Sequence, residues 1–478
     1  MPPDLQLVWL VTRRELKDHF RDWRVLLPLA ILTVCFPVLM NEFARAAVSF
    51  LNRFNANLIL DRLVPFSILI IGFFPITVSL VVALESFVGE KERGTIEPLL
   101  CTPLENWHLY FGKLLVGIVT PLVASYLSII LYLLMVSQQA LNIPSSLALL
   151  QLFLLTTAHA ILMVSAAIVI SVQSTSIKAA NLLASFIVIP VAILMQGESV
   201  ILFWGNIEVL WLAVVGVLIL AALLIRVGIS HFQREYLLGR EIDVINLRWI
   251  WRSFWGYFRA GTTSLLGWYR TAVLRALARL VVPVLFMLAI ALVGVWMGYD
   301  WSMDNVPGIL ENAGPDYQAR LSEQAFLSPE ILDFPDRISA PALFMHNSSV
   351  VLGILLAGLV SFSVLGILVY LINIGLLGGV FGLFQILGLP TTPLFLAGVV
   401  PHGVFEIPAL ILASAAVLRI GVMLVTPQTG KSIGEVVIEL LADWLIVFIG
   451  IVLPLLAIAA AVEVYVTPGI LLAFLREG

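Results

Sequence analysis

Of the 478 residues, 61% are hydrophobic and only 12% are charged, and the mean hydropathy is +1.06. Soluble domains carry about 25% charged residues, so the composition excludes a soluble protein and requires a chain mostly in lipid. The net charge of −4 says little for such a chain and nothing in it points to nucleic acid; how charge is shared between loops matters more. Cys35 falls in an apolar run and Cys101 in a charged stretch, so no disulfide framework is expected.

In chain order, Leu5, Val8, Trp9, Leu16, Phe20 and Trp23 recur at helical spacing, with Arg13, Arg14, Lys17 and Arg21 largely on other faces. This predicts a helix lying in the membrane interface. Because Arg13, Arg14, Lys17 and Asp18 break any apolar signal core, the N-terminus is expected to be retained. Apolar runs then predict eleven spans, at 25–43, 63–84, 110–136, 147–171, 180–196, 206–226, 280–298, 348–371, 373–388, 403–425 and 443–463. The fold expected is all-α and polytopic.

Between the sixth and seventh spans, Arg226, Arg234, Arg240, Arg248, Arg252, Arg259, Arg270, Arg275 and Arg279 face only Glu235, Glu241 and Asp243. The positive-inside rule makes that stretch cytoplasmic. Between the seventh and eighth, the 299–347 loop carries eight acidic residues, from Asp300 to Asp336, against Arg320 and Arg337, and belongs outside. Counting back places the N-terminus in the cytoplasm. The stretch around Trp249, Trp251, Phe254, Trp255 and Phe258 predicts a second interfacial helix, joining two domains along the membrane or binding a partner.

A dense charged excursion separates the second and third spans: Glu85, Glu90, Lys91, Glu92, Arg93, Gly94, Thr95, Glu97 and Pro98, with Leu99, Leu100 and Pro103 after them and Gly112-Lys113 beyond. Each charge costs roughly 2.5 to 3.5 kcal/mol in hydrocarbon, so this is a short excursion into water. The pattern resembles the signature of type-2 ABC transporter permeases, and the resemblance covers residues 1 to about 235. It implies that the segment is a coupling helix docking on a separate ATP-binding subunit through Glu85, Glu90, Glu92, Arg93, Gly94, Thr95, Glu97 and Pro98. On a continuous helix Glu90 and Glu97 would share a face, with Pro98 ending the helix before Leu99. The short loop 196–206 leaves room for only a small version of the re-entrant lid found in that family.

The second half reads differently. Asn373, Gly375, Gly378 and Gly379, the run Pro401-His402-Gly403 with Glu406 and Pro408-Ala409, Leu418-Arg419 with Gly421, and Glu463 with Pro468 resemble the stage II sporulation protein M family over residues 275 to 478. The resemblance implies a five-span domain without chemistry of its own, in a family known for scaffolding cell-wall enzymes; residues 236–274 would be a linker. His402 and Glu406 share a helical face. Two such ligands can hold zinc only with a third, and no further motif announces one, so polar packing is the favoured reading over ion handling or metal. Arg419 and Glu463 are the natural intramembrane pair. Thr429-Gly430-Lys431-Ser432 invites a phosphate-loop reading, but position 425 is Val425 rather than glycine, and no strand precedes it.

The expectation is therefore a multi-pass permease subunit of an exporter in a prokaryotic cytoplasmic membrane. It is not an enzyme and binds no cofactor or metal itself; ATP and Mg would sit on the ATP-binding subunit. One coupling segment per chain calls for a second permease copy, most simply a homodimer in membrane lipid. Two alternatives stand: an ATP-controlled scaffold acting on external cell-wall proteins, and an intramembrane enzyme centred on His402 and Glu406.

Overall fold

The computed structural model describes residues 3–52, 57–139, 143–174, 176–204, 210–232, 247–312, 339–426 and 433–477. Residues 236–246, most of the acidic loop (313–338) and Thr429 to Ser432 lie outside them. Among the described residues every regular element is a helix. Two compact units result, Met1–Ile245 with Val425–Pro427, and Asn246–Leu424 with Gln428–Gly478.

The first unit holds α1 (Pro3–His19), α2 (Trp23–Asn52), α3 (Asn57–Glu92), α4 (Ile96–Leu100), α5 (Asn106–Ser137), α6 (Ser146–Gln173), α7 (Ile177–Trp204) and α8 (Leu210–His231). Helix α6 is apolar all round and sits at the centre, packed on α3, α5, α7 and α8. Helix α1 turns Val8, Val11 and Thr12 onto α5 and leaves Leu5, Trp9 and Leu10 exposed. A Cβ on Gly112 would run into Val11, so that glycine sets how closely α1 lies on α5. Helix α7 continues unbroken through residues 196–204, where the sequence predicts a loop; only Gly197 breaks helix-forming character there, and an isolated glycine costs a helix about 1 kcal/mol.

The second unit holds α9 (Leu247–Arg259), a helical stretch α10 at 265–278 with a π turn at Tyr269–Val273, α11 (Val281–Asn312), α12 (Ala340–Val360), α13 (Val364–Ile386), α14 (Thr391–Gly398), α15 (Val400–Val425), α16 at 433–465 with a π turn at Phe448–Val452, and α17 (Thr467–Glu477). Helix α9 packs on α16 within this unit, and Trp268 Nε1 donates to the Phe258 carbonyl at 2.8 Å.

Nine helices among the described residues are long and apolar enough to span a membrane, and two shorter apolar stretches, Arg62–Thr77 and Pro190–Leu202, lie in α3 and α7. Together they correspond to the eleven expected spans. The boundary between the eighth and ninth differs: the chain turns at Ser361, Phe362 and Ser363, ten residues before the predicted break. Phe362 and Ser363 adopt left-handed φ values of 48° and 77°. The strain is held by hydrogen bonds, because the Ser363 hydroxyl donates to the Val417 carbonyl and accepts from Gly421 N–H at 3.0 Å. Those two groups are the ends of one helical hydrogen bond of α15. Gly421 is required there, since a Cβ would strike the Phe362 carbonyl.

Helices α11 and α13 lie closest of all. A Cβ on Gly298 would run into the Gly375 backbone, and one on Gly378 into Val295 and Tyr299 backbone atoms. Small residues at four-residue spacing (Gly294, Gly298, Ser302) let the backbones meet, the packing that substitutes in lipid for a hydrophobic driving force. Gly298→Ala is expected to cost about 2–3 kcal/mol by overpacking, read as a lowered unfolding temperature of the purified protein. An unchanged transition would contradict this backbone contact.

Candidate functional site

Helix α3 runs past its apolar part to Glu92 and stops because Gly94 takes φ +68°. Gly94 N–H bonds the Lys91 carbonyl (3.1 Å) and Thr95 N–H the Glu90 carbonyl (3.0 Å), which closes the helix with the paired bonds typical of a glycine C-cap. No atom lies within 4 Å of a Cβ built on Gly94, so the turn needs this glycine for its backbone angle rather than for space. The one-turn α4 follows, with Glu97 and Pro98 exposed.

The last two turns of α3 are gripped from both sides. Ser171 of α6 accepts from Phe87 N–H (3.1 Å) and Val88 N–H (3.0 Å) and donates to the Leu84 carbonyl, inserting a hydroxyl into the helical ladder. Lys91 Nζ donates to the Ser174 carbonyl at 3.3 Å and also to that of Val172. From the other side Lys113 of α5, its side chain only 2% exposed, reaches Glu90 Oε1 at 3.0 Å and Glu15 Oε1 of α1 at 3.5 Å. Its Nζ also donates to the Ser86 carbonyl at 2.8 Å and lies 4.9 Å from the Phe87 ring centre. Burial pushes the Glu90 carboxyl above its usual range, and the Lys113 charge pulls it part of the way back.

The eight residues expected to form the coupling surface thus divide. Glu90 faces inward to Lys113, and Glu92 Oε1 accepts from Ile177 N–H (2.8 Å) at the start of α7, where a negative charge is favoured. Glu85, Glu92, Arg93, Gly94, Thr95, Glu97 and Pro98 are exposed. Glu90 and Glu97 do not share a helical face, because Gly94 separates α3 from α4. Nor does Pro98 end a helix: it is the third residue of α4, in a first turn where its missing N–H goes unused.

Residues 9–208 match the ABC-2 family transporter protein family, and residues 282–468 match stage II sporulation protein M. The chain joins an ABC-2 permease segment to a stage II sporulation protein M segment. Its first half is thus similar to membrane proteins of ABC-2 type transporters. No curated protein matches the chain.

The ABC-2 segment also holds a pair that its sequence does not flag. His159 of α6 and Glu198 of α7 are each 3% exposed, with Nε2 3.3 Å from Oε1, and His159 Nδ1 is 3.0 Å from the Leu155 carbonyl. Each lies singly in an apolar run, 39 positions apart, so only folding reveals them as partners.

In the sporulation-M segment the four intramembrane polar residues sort into two clusters. Arg419 does not pair with Glu463. Its guanidinium reaches Asp443 Oδ2 at 2.7 Å, and Arg279 shares that carboxylate at 2.8 Å while lying 3.5 Å from Glu439. One turn of α16 carries Glu439 and Asp443 on the face toward α10 and α15, which the unflagged Asp443 made invisible to sequence pattern. Glu463 instead joins His402 and Glu406, with one ligand atom of each within 4.8 Å of the others. Thr467 Oγ1 lies 3.4 Å from His402 Nδ1.

Proposed function

We propose that this chain is the membrane subunit of an exporter driven by ATP hydrolysis on a separate subunit that docks on α4 and the Gly94 turn. The observation that carries this reading is the Lys113 grip. An exposed turn is mounted on a helix end that is bonded to α5 and α6 and linked through Lys113 to α1, so force applied to α4 passes into the bundle rather than into a loose loop. Movement of the α3 end would shift α6 through Ser171 and α1 through Lys113 and Glu15, the kind of rigid helix displacement that switches transporters between states. Exposed Glu97 and Arg93 offer the polar contacts, and Pro98 stiffens the turn.

The N-terminus and α4 face the cytoplasm on this reading, and two copies of the chain are needed for two ATP-binding subunits. Membrane vesicles of inverted orientation, carrying the chain and its ATP-binding subunit, test orientation and direction together. ATP added outside should drive substrate into the vesicle lumen. ATP turnover with no accumulation, and an external cell-wall hydrolase retained on the protein, would favour the scaffold reading instead.

A further inference from the structure

We propose that His402, Glu406 and Glu463 bind one divalent transition-metal cation, with zinc the best match, at one end of the second unit. The site goes beyond the transport reading and does not depend on it. His402 and Glu406 stand one turn apart near the start of α15, and Glu463 comes from the final turn of α16. Their ligand atoms all lie within 4.8 Å of one another. An ion bonded at about 2.0–2.2 Å to each would draw them somewhat closer than that.

The donor set selects the metal. One imidazole nitrogen with two carboxylates suits zinc and its neighbours, whereas magnesium and calcium prefer oxygen throughout. Charge points the same way: two carboxylates converge on helices that are otherwise apolar, and among the described residues neither Glu406 nor Glu463 has a hydrogen-bond donor or a salt-bridge partner on the protein. Among the described residues, Arg279 and Arg419 are held by Asp443 instead. A dication between Glu406 and Glu463 balances both.

The histidine also has a hydroxyl beside its other ring nitrogen. Thr467, 6% exposed, donates its hydroxyl proton to the Val462 carbonyl at 3.2 Å. Its oxygen is then left to accept from His402 Nδ1–H, 3.4 Å away. With the proton on Nδ1 in that arrangement, the Nε2 lone pair would be free for a metal, the outer-sphere bond that orients most histidine ligands. Three protein ligands leave a fourth position open to water or to a group on a bound molecule.

The full-length protein, purified after growth with added zinc and freed of excess metal, should contain about one zinc per chain by elemental analysis. His402→Ala and Glu463→Gln should each cut that content at least about tenfold, while His346→Ala, on α12 outside the cluster, should keep it. Because a ligand variant can fail to fold, the wild-type protein is also stripped with a chelator and titrated with zinc alone. Restored zinc should raise its unfolding temperature, as ligand binding to the folded state requires. Stripped but folded wild-type protein that takes up no zinc, or a His402→Ala/Glu463→Gln double variant that keeps its zinc, would overturn the site.

Discussion

Lys113→Met should strongly destabilise the permease half, because it leaves the Glu15 and Glu90 carboxylates buried around a missing cation. Their side chains are only 15% and 18% exposed, and breaking a buried ion pair by removing one partner costs about 3–5 kcal/mol. The same change removes the bond to the Ser86 carbonyl, so α1 and the end of α3 lose their common anchor on α5. Thermal unfolding of the purified chain should fall accordingly, and Lys113→Met combined with Glu90→Gln should recover part of the loss, because one of the two opposed charges is then gone. Equal stability of Lys113→Met and wild type would show that the cluster holds nothing together.

Asp443→Ala should be the most damaging single change in the second half. This carboxylate is the shared partner of Arg279 and Arg419, and losing it leaves two guanidinium groups together. Arg419 is only 14% exposed, but Arg279 is 39% exposed and stays partly solvated, which holds the expected cost to about 3 kcal/mol. Adding Arg279→Gln to Asp443→Ala should restore stability in part, and a double variant no better than the single one would contradict the shared-carboxylate geometry.

Most of the architecture was legible because lipid imposes it. Long apolar runs must be helices that satisfy their own backbone, and the charge of the linking segments bounds them. The misplaced turn at Ser361–Ser363 lies in a continuous apolar stretch where two serines and a phenylalanine carry no breaker signal; what turns the chain is the Ser363 hydroxyl reaching α15, a contact 54 positions away. Gly94 sat inside an expected continuous helix, and its left-handed angle, which ends α3 before α4, emerges only in the fold. Pro98 misled because proline has opposite meanings inside a helix and in its first turn.

Site residues were legible one at a time and seldom as groups. His402 and Glu406 share a face by spacing alone, but Glu463 stands 57 residues beyond Glu406 and is brought in by the packing of α16 against the bundle. Arg419 was recognisable as a buried charge needing a partner, while the choice of Asp443 over Glu463 depends on which end of α16 lies beside it. In the first half, Gly112-Lys113 stood out as a motif without a role. Its role is spatial: the glycine admits α1, and the lysine holds α1 and α3 together.

The central claim is that α4 and the Gly94 turn receive the ATP-binding subunit, and co-purification of that subunit with variants of this segment tests it most directly. Gly94→Val forces a β-branched residue into a left-handed angle, costing about 1–2 kcal/mol or more locally and redirecting α4. Glu97→Arg reverses a charge on its exposed surface, and Glu90→Arg sets a second cation against buried Lys113. Each should leave the chain in the membrane while reducing the retained ATP-binding subunit and its ATP turnover at least about tenfold, a loss of about 1.4 kcal/mol in binding. Arg93→Lys, which keeps the charge on an exposed side chain, should match wild type. Full retention and normal turnover in Gly94→Val, Glu97→Arg and Glu90→Arg together would contradict the account.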